Sequence, residues 1–338
     1  MVVKGFTIAL LLIGLSGCAS FVANKITSPK NINVEGNLAD LIVERQICDN
    51  SPYCIKTMGL GDLEAGDLSL AFTFKINEGH KVWRYEAKSD GAAKVKPLEN
   101  QLIVLFAGYS QPTLLLYMHQ RWLQHITGAN VIVVPSADNS ENFKFGLDYA
   151  SPLVAEIQRL KPKKVHLIGF SMGALAANAV EQEVDNARLY LFAPMTDFEH
   201  STKAIYDILY QDTLYAKFVS KNTLEDAIQI VYEESGTTLK DTDLLAKLNG
   251  VKSPTFIYAS NTDKVTDYSA LNTIDNKNIN VSIYEKLGHI EMVALASQNL
   301  LTEFVSDLLE RPVLQSEVET LGVLCDFGDD DCLNQLPN

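Results

Sequence analysis

The chain has 338 residues, 47% of them hydrophobic and 21% charged, which is apolar material for one full core and excludes a low-complexity or extended chain. Its net charge of −14 excludes nucleic acid and bare anionic lipid as electrostatic partners. In chain order, Lys4 precedes an apolar run, Phe6 to Leu15, that is too short to span a bilayer. Residues 19 to about 65 are polar and mixed and read as a tether, with a short helix from Leu38 to Ile47. Leu68–Phe74 and Val82–Tyr85 flank Asn77-Glu78-Gly79-His80 as a hairpin. Leu102–Phe106 and Val131–Val134 are short, continuous apolar runs of the kind that form buried parallel strands, with a helix over Thr113–Thr127 between them. A helix over Ser151–Leu160 opens with Ser-Pro, and a strand at Val165–Ile168, a helix at Ala174–Val184 and a strand at Leu189–Phe192 follow. Only helical segments occupy His200 to Gly250. Strands resume at Thr255–Tyr258 and Ile279–Tyr284, before a helix from about Glu291 to Leu309. This alternation predicts an α/β domain with right-handed crossovers and a mostly parallel sheet, interrupted by a helical insertion.

The N-terminal run closes on Leu15-Ser16-Gly17-Cys18, small residues followed directly by Cys, and resembles a bacterial lipoprotein signal peptide. The resemblance implies removal of residues 1–17, a diacylglyceryl group on the Cys18 thiol and an acylated new amino end. It places the protein in the bacterial cell envelope. Ala19, where Asp would mark inner-membrane retention, implies the outer membrane, facing the periplasm. An ordinary secretory signal that contains a Cys is the competing reading. The domains expected are then a lipid-anchored tether (18–65), a main domain (66–312, insertion at about 200–250) and a C-terminal tail (313–338). Four cysteines remain, Cys48, Cys54, Cys325 and Cys332, and they permit three disulfide connectivities. An oxidising compartment favours disulfides, and the pairing preferred is Cys48–Cys54 with Cys325–Cys332, each closing a small loop. A zinc site is the second reading, against which stand the wide spacing within each pair and the lack of a nearby His. The acidic stretch between the last two cysteines lacks EF-hand spacing.

The chemistry concentrates at Gly169-Phe170-Ser171-Met172-Gly173, a G-x-S-x-G that follows a buried strand and opens an Ala-rich helix. A nucleophile on such a strand–turn–helix elbow needs strained backbone angles, so the residues two positions away on either side must be small; both are Gly. With this setting the chain from about Leu68 to Leu309 resembles the α/β-hydrolase family. The resemblance implies an α/β-hydrolase fold: a mostly parallel central sheet flanked by helices, with a helical lid insertion. It also implies a triad in chain order Ser, Asp, His. His289, in Leu287-Gly288-His289-Ile290, is the one His downstream of every candidate acid. His80, His119, His125, His166 and His200 read as structural or surface residues. Asp263, in Asp263-Lys264-Val265, matches the family's D-x-V pattern, with Asp267 as the second candidate. Ser171 is then the nucleophile, His289 its base and Asp263 the group that fixes the imidazole tautomer. The oxyanion donors implied are the backbone N–H of Met172 and that of Tyr109, in Ala107-Gly108-Tyr109-Ser110. Many family members have His-Gly where this chain has Ala107-Gly108, so the second donor departs from the family's pattern.

In the insertion, Tyr206, Tyr210, Leu214 and Phe218 recur at i+4 and predict one apolar face of a lid helix, either packing the lid or lining an apolar pocket. Thr223, with Asp226 three residues on, predicts the cap of a second helix. The function expected is hydrolysis of carboxylic esters or thioesters with apolar acyl groups, on a small-molecule or lipid acyl substrate. Membrane contact is expected through Cys18; neither a metal nor an organic cofactor is expected, and protein partners are not indicated. The alternatives are a peptidase on the same fold and an envelope lipoprotein that uses the fold as a binding module.

Overall fold

The computed structural model describes residues 18–29, 34–36, 42–49, 54–60, 68–76, 81–89, 96–140, 142–210, 219–318, 322–326 and 330–333. The first described element is a helix, α1 (residues 18–27). Its Ala19, Val22, Ala23 and Ile26 recur at i, i+3, i+4 and i+7 and are all buried. Part of the segment read as a tether is therefore core. β1 (Val34–Gly36), β2 (Ile42–Cys48), β3 (Cys54–Leu60), β4 (Leu68–Ile76) and β5 (Lys81–Ser89) follow. Where a helix was expected up to Ile47, the chain forms β2, paired antiparallel with β3 so that Ile47 faces Ile55 and Cys48 faces Cys54. Both isoleucines are buried, and a disulfide joins Cys48 to Cys54. Cross-strand packing of this kind overrides local helix propensity. The hairpin is tied to the main body by a hydrogen bond from the Thr57 hydroxyl to the Val133 carbonyl, and by the Ser151 hydroxyl donating to Asp49 Oδ2 at 2.6 Å. The expected hairpin at 68–85 is present as β4 and β5, in antiparallel register.

The main sheet then forms in the predicted rhythm. β6 (Leu102–Phe106), α2 (Thr113–Thr127), β7 (Asn130–Val134), α3 (Ala150–Leu160), β8 (Val165–Phe170), α4 (Gly173–Glu181) and β9 (Ala187–Phe192) lead into the insertion. The insertion comprises α5 (Phe198–Ile205), a π-helical turn (Tyr206–Tyr210), α6 (Lys221–Ser235), α7 (Leu239–Thr242) and α8 (Leu244–Leu248). The cap of α6 is Ser220, whose hydroxyl accepts from the Thr223 N–H at 3.1 Å, and not Thr223. Ser220 has the extended backbone a cap needs, while Thr223 already lies in the first turn. β10 (Thr255–Ser260), β11 (Ile279–Tyr284), α9 (His289–Val293), α10 (Gln298–Leu309), β12 (Gly322–Asp326) and α11 (Asp330–Leu333) complete the order. The single helix expected from Glu291 to Leu309 is thus two, because Leu295 takes a φ of +54° and Ser297 caps a new start at α10.

Six parallel strands form the central sheet in the order β11-β10-β9-β8-β6-β7. Alternate side chains along β6 divide the core: Leu102, Val104 and Phe106 pack with α3, α4 and the insertion, while Ile103 and Leu105 pack with α2 and α10. β8 is buried along its whole length, as a central strand covered on both faces must be. β12 returns to pair with β5, so the C-terminal segment completes the antiparallel sheet β1-β4-β5-β12, and Cys325 is bonded to Cys332. The strand order reverses between β6 and β8, since the chain runs from β6 outward to β7 and returns on the other side of β6. In an open α/β sheet the carboxyl ends at that switch frame the binding crevice. The layers, strand order and helical insertion are those of the α/β-hydrolase fold.

Candidate active site

Ser171 stands at this switch, directly after β8. Its φ is +49°, a left-handed conformation that costs free energy in a non-glycine residue and persists only where neighbours enforce it. Its N–H donates to the Phe192 carbonyl at 2.9 Å, and its carbonyl accepts from the N–H groups of Ala174 and Met195, both at 3.1 Å. The two flanking glycines are sterically required. A Cβ on Gly169 would lie 2.7 Å from the Ala174 Cα, and one on Gly173 would lie 2.4 Å from the Phe106 carbonyl oxygen. The elbow is thus wedged against β6 by backbone alone.

His289, the first residue of α9, places Nε2 at 3.0 Å from Ser171 Oγ and Nδ1 at 2.8 Å from Asp263 Oδ2. The Gly288 N–H donates to the Glu291 carboxylate, which ties down the first turn of this short helix. Asp263 lies in the loop after β10, with its side chain shut off from solvent. Its Oδ1 accepts from the N–H groups of Val265 and Thr266 at 2.8 and 3.1 Å, leaving Oδ2 for the imidazole. Burial pushes the Asp263 carboxyl up, but the His289 imidazole and these backbone donors outweigh it and hold the group below the usual carboxylate range. An ionised Asp263 fixes the proton of His289 on Nδ1, which leaves Nε2 as the acceptor facing the Ser171 hydroxyl. Asp267 is engaged elsewhere. Its carboxylate caps the short helix that follows, accepting from Ser269 Oγ at 2.6 Å and from the Ser269 N–H at 3.1 Å. The serine hydrogen bond and these amides lower its pKa.

The loop after β6 passes against the elbow: a Cβ on Gly108 would lie 3.1 Å from Ser171 Cβ. Tyr109 and Met172 share a cleft with Ser171, and Met172 is the N-cap of α4, the positive end of that helix. Sequence reading did not single out the residues that brace this loop. Gln111, buried, accepts from the Gly108 N–H at 2.8 Å and donates from Nε2 to the Val293 carbonyl of α9 at 3.3 Å. It thereby joins the loop beside the serine to the helix that carries His289. Asp138 accepts from the Ser110 N–H at 2.8 Å and from the Ser136 hydroxyl. No motif spacing marks either residue.

The cleft is lined mainly by apolar side chains, with a few hydroxyls and Lys25. Met195, Phe198, Ile205 and Tyr206 wall it on the insertion side, and Val22 and Ile26 of α1 contribute a second wall. Ser201 on α5 donates to the Val265 carbonyl at 2.9 Å, tying the insertion to the loop that carries Asp263. Of the lid residues predicted from sequence, Tyr206 lines the cleft from a π-helical turn and not from the long helix expected. The Tyr210 side chain, Leu214 and Phe218 lie outside the described residues. The periodic signal of Val22 and Ile26 was present in the sequence, but it fell in a segment read as tether. Cys18 is exposed and unbonded. Among the described residues no cluster of three or more metal-binding side chains occurs, and no helix is long and apolar enough to cross a membrane.

No protein-family model and no curated protein matches the chain. Among solved structures it is similar to an esterase of Pyrococcus furiosus, with 14% identity, coverage of 85% of this chain and 97% of that one, and a TM-score of 0.49. It is similar also to an esterase of Exiguobacterium antarcticum, at 15% identity, 70% and 98% coverage and a TM-score of 0.44. An α/β-fold hydrolase of Bacillus anthracis follows at 18% identity, 70% and 99% coverage and a TM-score of 0.41. What assigns this chain to the α/β-hydrolase fold is its own strand order, with the elbow after β8 and Ser171, Asp263 and His289 following in that order after β8, β10 and β11.

Proposed function

We propose that this protein is a serine hydrolase that cleaves carboxylic esters or thioesters with apolar acyl groups. The observation that carries the reading is the hydrogen-bonded chain Ser171–His289–Asp263 opening onto an apolar cleft. In the first half-reaction Ser171 Oγ bonds to the acyl carbon and its proton passes to His289 Nε2. The bond to the leaving alkoxide or thiolate then breaks and that group takes the proton. Asp263, kept anionic, stabilises the imidazolium between these steps. Water repeats the sequence on the acyl-enzyme and releases the carboxylic acid and free Ser171. The oxyanion is assigned to the backbone N–H groups of Met172 and Tyr109, the first favoured further by the N-terminus of α4. Attachment to the envelope through lipid on Cys18 is part of the same proposal, resting on the residues 15–18 and on the exposure of that thiol.

A fluorophosphonate probe tests the central claim. The protein should be labelled, and Ser171→Ala should abolish the labelling. Equal labelling of wild type and variant would mean that another residue is the nucleophile.

A further inference from the structure

Among the described residues that line the cleft beside Ser171, Lys25 is the one with a formally charged side chain. Lys25 sits on α1, between the buried Val22 and Ile26 that wall the same cleft, and is itself only partly exposed. Its Nζ lies 5.5 Å from the Phe21 ring centroid. An ammonium at the rim of an apolar cleft attracts an anion while the methylenes beside it are buried.

We propose that α1 is part of the substrate site and that Lys25 selects an amphiphilic ester bearing an anionic group, separated from the scissile carbonyl by several methylenes. The inference rests on the ester-hydrolase reading above and names its substrate class. Val22 and Ile26 hold the methylenes, and Lys25 pairs the distal anion. A lysine in the last turn of a helix also complements the helix dipole. That role concerns the stability of α1 and does not distinguish a charged substrate from a neutral one.

The test compares 4-nitrophenyl half-esters of adipate and suberate with the 4-nitrophenyl hexanoate and octanoate of equal chain length. For at least one length, the wild-type ratio of kcat/KM for the anionic over the neutral ester should fall about tenfold in Lys25→Gln, the scale of one hydrogen bond to a charged group. Lys25→Arg should restore most of it. A ratio that Lys25→Gln leaves unchanged at both lengths overturns the proposal. Binding of the same esters to Ser171→Ala, measured by calorimetry with and without Lys25→Gln, reads the recognition without turnover and should show the same loss. If neither ester is hydrolysed by wild type, the hydrolase reading fails, and this binding comparison still decides whether Lys25 recognises the anion. Tighter binding of the anionic ester that depends on Lys25 supports the proposal, and equal binding refutes it.

Discussion

Ser171, Asp263 and His289 each stand just past the carboxyl end of a parallel strand, β8, β10 and β11. The side chains above them, Val22, Ile26, Phe198 and Leu224, come from helices outside the sheet. The floor is held by directional bonds: Ser171 is clamped to Phe192, Ala174 and Met195, and Asp263 to Val265 and Thr266. The wall is held by burial, at roughly 1.5–3 kcal/mol for each large apolar side chain removed from water. Directional bonds fail abruptly when one partner changes, whereas packing yields by degrees. Chemistry and selectivity should therefore separate under mutation, and the two nearby aspartates give the sharpest check. Asp263→Asn should lower kcat on any ester by about 10⁴, the cost of a wrong imidazole tautomer. Asp267→Asn, which weakens a helix cap, should stay within a few-fold. A larger loss in Asp267→Asn would move the acid to the wrong side of this comparison.

Acid should weaken the fold as a whole, through two buried histidines. His119 of α2, fully buried, meets the Ala294 carbonyl at 3.3 Å, and burial lowers its pKa to about 4. His166 of β8, between Gln101 Oε1 at 2.8 Å and Tyr190, is lowered to about 3, chiefly by burial and then by Lys164 and Arg188. Both are near 6.5 in an unfolded chain. Between these values the unfolded state binds more protons, so stability rises with pH and is lost as pH falls from 6.5 toward 4. Each histidine accounts for up to about 3 kcal/mol of that loss at pH 4. Urea midpoints should drop steeply across this window. His119→Gln, which keeps an N–H for Ala294, should flatten the slope; an unaltered slope would show that His119 is not held neutral.

The same division explains what could be read without coordinates. The parallel strands and the elbow were legible because each is a local statement: a continuous apolar run, or two glycines at fixed offsets from a serine. His289 was legible by chain order, and Asp263 by its D-x-V setting after a strand. The long-range pieces were not. Ile42–Cys48 is a strand only because Cys54–Leu60 lies beside it, and Leu295 breaks a helix that its neighbours' propensities would continue. α1 had the right periodicity, but polar residues around it and its place next to Cys18 argued for a tether. Gln111 carries no pattern of its own, since one partner, Gly108, is an ordinary neighbour in its loop and the other, Val293, is brought to it only by the fold. Its bond across the site predicts an intermediate effect. Gln111→Ala should lower kcat about tenfold with KM little changed, as loosening an oxyanion loop does. Gln111→Glu, which still accepts from Gly108 but cannot donate to Val293, should recover part of the loss. A change confined to KM would assign Gln111 to substrate binding instead.

The wall should respond least per residue and in a different currency. Each acyl methylene buried against it adds about 0.8 kcal/mol, or up to about fourfold in kcat/KM. Ile26→Ala and Phe198→Ala remove cleft-lining surface from α1 and α5 in turn. Each should flatten the rise of kcat/KM along the series from acetate to octanoate esters, with the loss growing as the chain lengthens. The comparison between the two variants is informative in itself. Phe198 is almost wholly buried and packs edge-on against Phe145 at 4.7 Å, so its truncation should also lower the melting temperature. Ile26 lies at the rim of the core, and its effect should fall mainly on chain length. If both variants lose short and long esters in equal proportion while melting near the wild-type temperature, the wall is scaffolding for the floor. The separation of chemistry from selectivity would then fail at the cleft itself.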